Sequence, residues 1–205
     1  MTVDGPGSVA EVGDWLAQSL FAKRVVQLSG PLDDRAATDL VAQLMTLDAL
    51  GDDPVELRID SASGTSGAAL AVADVIDLLG VPVRAFASGR VHGPAVGVLA
   101  VCDHRTVSAH ASLRLAEPAA EFSGTARQLG VQAAAHRDEW LALCGCVARA
   151  TGRPVEEVAA DARAGRFLTP DEAVRYGIVD EVAHRDAEIR RLPVRRIGFR
   201  PGGPA

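Results

Sequence analysis

Two glycine-rich turns of this chain hold side chains able to do chemistry. The first is Asp60-Ser61-Ala62-Ser63-Gly64, with Ser66 just beyond it, and the second runs from Ser88 through Gly89-Arg90-Val91-His92-Gly93-Pro94-Ala95. Hydroxyl and imidazole are the parts of nucleophilic catalysis, in which a base takes the proton of an attacking oxygen. Small serines in such turns more often bond to their own backbone, and no Gly-x-Ser-x-Gly elbow occurs anywhere. The glycine-rich stretches carry neither a phosphate-loop lysine nor a dinucleotide fingerprint, so no cofactor is expected. Three cysteines remain: Cys102, Cys144 and Cys146. The last two lie two apart in a helical stretch and project from different sides of it. They read as core or surface thiols in a reducing cytoplasm, and no metal site is expected.

Strands and helices must position these turns, and their signals alternate along the chain. Arg24 to Ser29 is rich in β-branched residues and ends at Gly30-Pro31, a strand and a turn. Asp33-Asp34 can cap a helix with Ala37, Leu40, Val41, Leu44, Met45 and Leu47 at helical spacing. Val55 to Asp60 is a second strand, Ala68 to Leu79 a helix, and Pro82 to Ala87 a third strand. A short helix is expected over Ala95 to Cys102, and short strands over Arg105 to Ser108 and Ser112 to Leu115. Gly124 to Ala150 carries a long helical pattern, with a second helix starting near Pro154. Thr169 to Tyr176 and Ile178 to Val182 read as a last helix and strand. Such alternation predicts an α/β domain with parallel pairing.

Composition fits one soluble domain: 205 residues, 48% apolar, 23% charged. No stretch reaches the twenty or so apolar residues of a membrane span, and the N-terminus lacks the basic and apolar regions of a secretory signal. Net charge is −6. Six arginines from Arg185 to Arg200, against Asp186 and Glu188, give the last 23 residues +4, so the body carries −10 and is no nucleic-acid surface. The expected layout is a flexible segment over 1–13, one domain over 14–182, and a mobile basic tail over 183–205.

From Trp15 to about Val182 the chain resembles the Clp protease proteolytic-subunit family. The anchors are Arg24-Val25-Val26, the segment Gln43 to Leu47, the turn Asp60 to Gly64, and Phe167 to Asp180, whose Glu-Ala-Val-x-Tyr-Gly-Ile-Val-Asp run is a family hallmark. The resemblance implies a crotonase-like α/β fold of ββα units with a protruding handle helix. It also implies seven-membered rings that stack in pairs around a proteolytic chamber. The family's Ser-His-Asp triad falls here on Gly93, Ala116 and Gly165. The oxyanion hole falls on Gly64, which keeps its N–H, and on Pro94, which has none. Losing one such donor typically costs about a hundred- to a thousandfold in rate. A catalytically inactive ring subunit with a structural or regulatory role is expected. The alternative is a peptidase whose site has been rebuilt from Ser61, Ser63, Ser66, Ser88 and His92.

Resemblance also bears on partners. Where the family lines an unfoldase-docking pocket with tyrosines, this chain has Glu56 and Arg58, and charge there weakens an apolar pocket. Ile197-Gly198-Phe199 in the basic tail resembles the tripeptide with which Clp unfoldases dock. The expected partners are further copies of this chain, as a heptamer or a stacked double ring, and active paralogue subunits. Nucleic acid and membrane are not expected.

Overall fold

The computed structural model describes residues 9–183, with side chains from Trp15 onward. Its first helix, α1 (Val9–Phe21), was not anticipated from the sequence, and its backbone begins inside the segment expected to be flexible over 1–13. Val9, Val12, Leu16 and Leu20 have helical spacing. The neighbouring glycines Gly5, Gly7 and Gly13 hid that signal.

Five strands form a parallel sheet in the order β1 (Val25–Ser29), β2 (Val55–Ser61), β3 (Val83–His92), β4 (His104–Ser108) and β7 (Glu181–Ala183). The connections are helical: α2 (Asp34–Leu50), α3 (Ser66–Leu78) and α4 (Pro94–Ala100). Parallel neighbours require such crossovers. Each helix starts where its sequence says it should. Asp33 accepts from the Ala36 amide, Thr65 accepts from the Ala68 amide, and Pro94 opens α4 at a position that needs no N–H. The strands alternate in burial. Leu57 and Ile59 of β2 are fully buried against the helices while Arg58 and Asp60 face outward.

β3 is longer than the sequence suggested, and the extra length builds the site. Its first half pairs with β4 (Arg84 to Ala87) and its second half with β5 (Ser112–Arg114), at Arg90 to His92. The fork lies at Gly89, at φ +59°, where an added Cβ would stand 2.7 Å from the Asp60 carboxylate. That carboxylate also accepts from the Arg90 amide at 3.0 Å. Only glycine allows this approach. A two-residue strand, β6 (Phe167–Leu168), runs antiparallel to β5 and was absent from the sequence reading.

The long pattern becomes α5 (Ala126–Thr151), started by a reciprocal Thr125–Gln128 capping box and ended by left-handed Gly152. Its C-terminal half buries Trp140, Leu143, Cys144 and Val147, while its first half projects from the body with Leu129 and Val131 exposed. Pro154 caps α6 (Val155–Arg163) rather than sitting in its first turn. Helix α7 (Pro170–Tyr176) follows a second capping box, Thr169–Glu172. The final strand starts at Glu181, three residues later than expected. Buried Ile178 and Val179 precede it, and the Asp180 amide bonds to the Arg105 carbonyl.

Candidate functional site

Three chain segments meet at the open end of the forked sheet. β3 and β5 are parallel, so their C-terminal ends lie side by side, and β6 is antiparallel, so its start meets them. Gly93 directly follows β3, Ala116 lies two residues after β5, and Gly165 two residues before β6. Hydrogen bonds fix the junction: the Gly93 amide to the Arg114 carbonyl, the Leu115 amide to the Arg166 carbonyl, and the Glu117 amide to the Ala162 carbonyl. Gly93 and Ala116 line one cleft of about 240 Å³ together with Ser63, Gly64, His92, Pro94, Arg114 and Glu117.

The backbone at Gly93 has φ +55° and ψ −120°, a strained conformation for any residue with a Cβ. It forms a sharp strand-to-helix turn of the kind that presents a nucleophile. A Cβ there would sit 3.5 Å from the Ala116 carbonyl, an ordinary contact. Gly64 is held against Leu32, whose Cβ would stand 2.8 Å from an added Cβ. Leu32 and Gly64 also form a parallel bridge.

Gly165 differs, because the space beside it is filled. It lies at φ +66°, and an added Cβ would meet an Arg114 guanidinium nitrogen at 2.8 Å. Arg114 Nε donates to the Gly165 carbonyl at 3.4 Å, and the guanidinium lies 4.9 Å from the Phe167 ring centroid. His92 meets the same ring edge-to-face at 5.7 Å. Its Nε2 stands 3.2 Å from Ser112 Oγ. Partial burial and the positive charges of Arg114 and Arg90 hold the imidazole below its usual pKa.

Of the side chains considered as replacements, only Ser63 and His92 line the cleft. Ser61 is buried and donates to the Ser63 carbonyl, a turn role. Ser66 is buried in the first turn of α3, and Ser88 lies within β3. Sequence reasoning missed Ser112 and Arg114. Strand alternation around buried Leu113 was the available signal, since it places both on the outward face.

Burial marks the thiols of Cys102 and Cys144. Cys102 is buried and donates to the Val98 carbonyl, and burial pushes the Cys144 thiol up to about 11. Among the described residues no group of three His, Cys, Asp or Glu could share a metal ion, and no helix is long and apolar enough to cross a membrane. Glu56 and Arg58 project from the same face of β2 and pair with each other at 2.7 Å. Ile197-Gly198-Phe199 and the tail arginines lie outside the described residues.

A sequence profile of the Clp protease family matches residues 9–186. The chain belongs to the Clp protease family. It is 34% identical over 183 residues to ATP-dependent Clp protease proteolytic subunit 3 of Rhodococcus jostii, covering 86% of this chain and 89% of that one. It is 31% identical over 164 residues to subunit 4 of the same organism, covering 78% of this chain and 84% of the relative. It is also 30% identical over 176 residues to subunit 1 of Thermobifida fusca, covering 83% of this chain and 79% of the relative. The mixed α/β architecture agrees with the fold this Clp family implies.

Proposed function

We propose that this Clp-family chain is a catalytically inactive ring subunit with a structural or regulatory role in a Clp-type assembly of the cytoplasm. The observation that carries the reading is the convergence of Gly93, Ala116, Gly165 and Pro94 at the end of the β3–β5–β6 fork. Nucleophile, base, orienting acid and one oxyanion donor are missing from a site whose backbone is otherwise built. Subunits of this kind act by assembling, as homomeric heptamers or stacked rings or mixed with active paralogues. The Glu56–Arg58 pair in place of an aromatic pocket argues against recruiting an unfoldase through this subunit. Within the same reading, the Ile197-Gly198-Phe199 tail docks on an active Clp ring and competes with its unfoldase. Deleting 195–205 should abolish binding to such a ring; unchanged binding refutes the tail's role. The main test is native mass and fluorogenic-peptide turnover on the same purified sample. A ring-sized mass without turnover is expected, and turnover that survives purification overturns the proposal.

One observation favours a second reading, a rebuilt hydrolase: His92 Nε2 meets Ser112 Oγ at 3.2 Å, and burial and nearby arginines lower its pKa. Against it, Ser112 does not line the cleft, and none of the described carboxylates hydrogen-bonds to His92. A fluorophosphonate probe should leave the protein unlabelled. Labelling abolished by Ser112→Ala would establish the second reading.

A further inference from the structure

The triad residues are absent, yet the cleft they would have faced is neither closed nor neutral. Arg114 lines it half-buried, its guanidinium over the Phe167 ring at 4.9 Å from the centroid and tied by a single long hydrogen bond to the Gly165 carbonyl. A guanidinium has five N–H donors. None of the ion pairs among the described residues includes Arg114 or Arg90. Two carboxylates lie in this neighbourhood. Glu117 is exposed at the rim, and Asp60 is occupied by the Arg90 amide at the fork. His92 adds an imidazole, and Ser63 a hydroxyl, on the cleft wall. An arginine fork pre-set by stacking is suited to bidentate recognition of a carboxylate.

Size narrows the ligand. A cleft of about 240 Å³ falls below the roughly 300–1,000 Å³ of pockets that enclose a drug-sized molecule. It admits the end of a chain rather than a length of it. Resting on the reading of this chain as a non-hydrolysing Clp-type subunit, we infer that the cleft binds the C-terminal carboxylate of a peptide, with Arg114 as its anchor. The guanidinium that fills the space beside Gly165 thus replaces cleavage by capture.

The test is fluorescence polarisation of two fluorescein-labelled hexapeptides of alanine, leucine and serine, identical except for a free or amidated C-terminus. A charge-assisted pair of this kind contributes about 1.5–3 kcal/mol. The free acid should therefore bind the unaltered protein about tenfold or more tighter than the amide. Arg114→Gln should erase the difference, and Arg114→Lys should retain part of it. Equal binding of acid and amide, or binding of neither at millimolar protein, overturns the inference. So does displacement by free acetate at the peptide's own concentration, which would mark a small-anion site. The comparison of two peptides on one protein does not depend on any variant folding. Mass analysis of the bound peptide separates the two claims: an intact peptide bound through its carboxylate supports capture. A cleaved one refutes the inactive-subunit reading on which capture rests.

Discussion

Restoring the triad should not by itself restore peptide cleavage, and Pro94 is the reason. Consider Gly93→Ser, Ala116→His and Gly165→Asp together. At Gly93 the backbone already turns as a nucleophile requires, and a Cβ has an ordinary contact at 3.5 Å from the Ala116 carbonyl. At Gly165 an added Cβ would meet the far end of Arg114 at 2.8 Å, a flexible group that can swing away. Both positions have positive φ, costing about 1–2 kcal/mol each for a side chain. A loss of about 2–4 kcal/mol leaves a domain of ordinary stability folded. The triple variant then has nucleophile, base and acid but one oxyanion donor. Adding Pro94→Ala supplies an N–H at the first position of α4, where no helical partner competes for it. Turnover of a fluorogenic peptide should be about a hundred- to a thousandfold higher in the quadruple variant than in the triple. Circular dichroism would confirm that both are folded. A triple variant as active as the quadruple, or a quadruple as inert as the triple, would refute the assignment of Pro94 as the block.

Other perturbations test the scaffold. Gly97→Ala on α4 would drive a methyl into the Leu143 side chain of α5, and overpacking of this kind should cost about 1–3 kcal/mol by urea denaturation. Asp180 accepts from Arg105 Nη2 at 2.6 Å and from the Arg105 amide at 2.7 Å. Its partial burial opposes ionisation, but these bonds outweigh that and hold its pKa below the usual aspartate value. The folded pKa is therefore depressed, so its contribution is complete above the ordinary aspartate range and is lost as pH falls through the folded value. Asp180→Asn should cost about 1–2 kcal/mol at pH 7, allowing for solvent screening, and the difference from wild type should shrink below pH 4. His92, depressed by burial and two arginines, should titrate by NMR below the ordinary histidine value. Arg114→Gln should raise its midpoint.

How much of this was readable in the residues depends on the range of the forces involved. The α/β class and most strands and helices follow from local signals: β-branched runs, helical spacing of Ala37, Leu40, Leu44 and Leu47, and capping residues such as Asp33 and Thr169. That Gly93 and Ala116 carry no group able to act as nucleophile or base was readable from their residue types alone. The fork in β3 was not. It depends on Gly89 accepting the Asp60 carboxylate from another strand, a contact 29 positions away that no local pattern encodes. Helix α1 was missed because its spacing competes with glycines on a chain end. Arg114 was missed because a lone arginine in a short strand reads as a solvated surface charge. Its placement beside Gly165 exists only once β6 pairs with β5.

If the chain is the inactive subunit proposed above, that last contact bears on how the cleft keeps its shape. A buried or half-buried carboxylate removed from beside an arginine leaves an uncompensated charge, which is costly unless the charge finds new company. Here the guanidinium keeps a ring beneath it and a carbonyl ahead of it while staying partly hydrated. Gly93 meanwhile occupies a backbone conformation that would strain a serine. A glycine at this turn avoids strain that any residue with a Cβ would have to bear. Gly93 and Gly165 suit the same architecture by different routes, one by avoiding strain and one by leaving room for a cation. On the proposed reading, the cleft needs no catalysis to be stable and offers an arginine fork to a carboxylate.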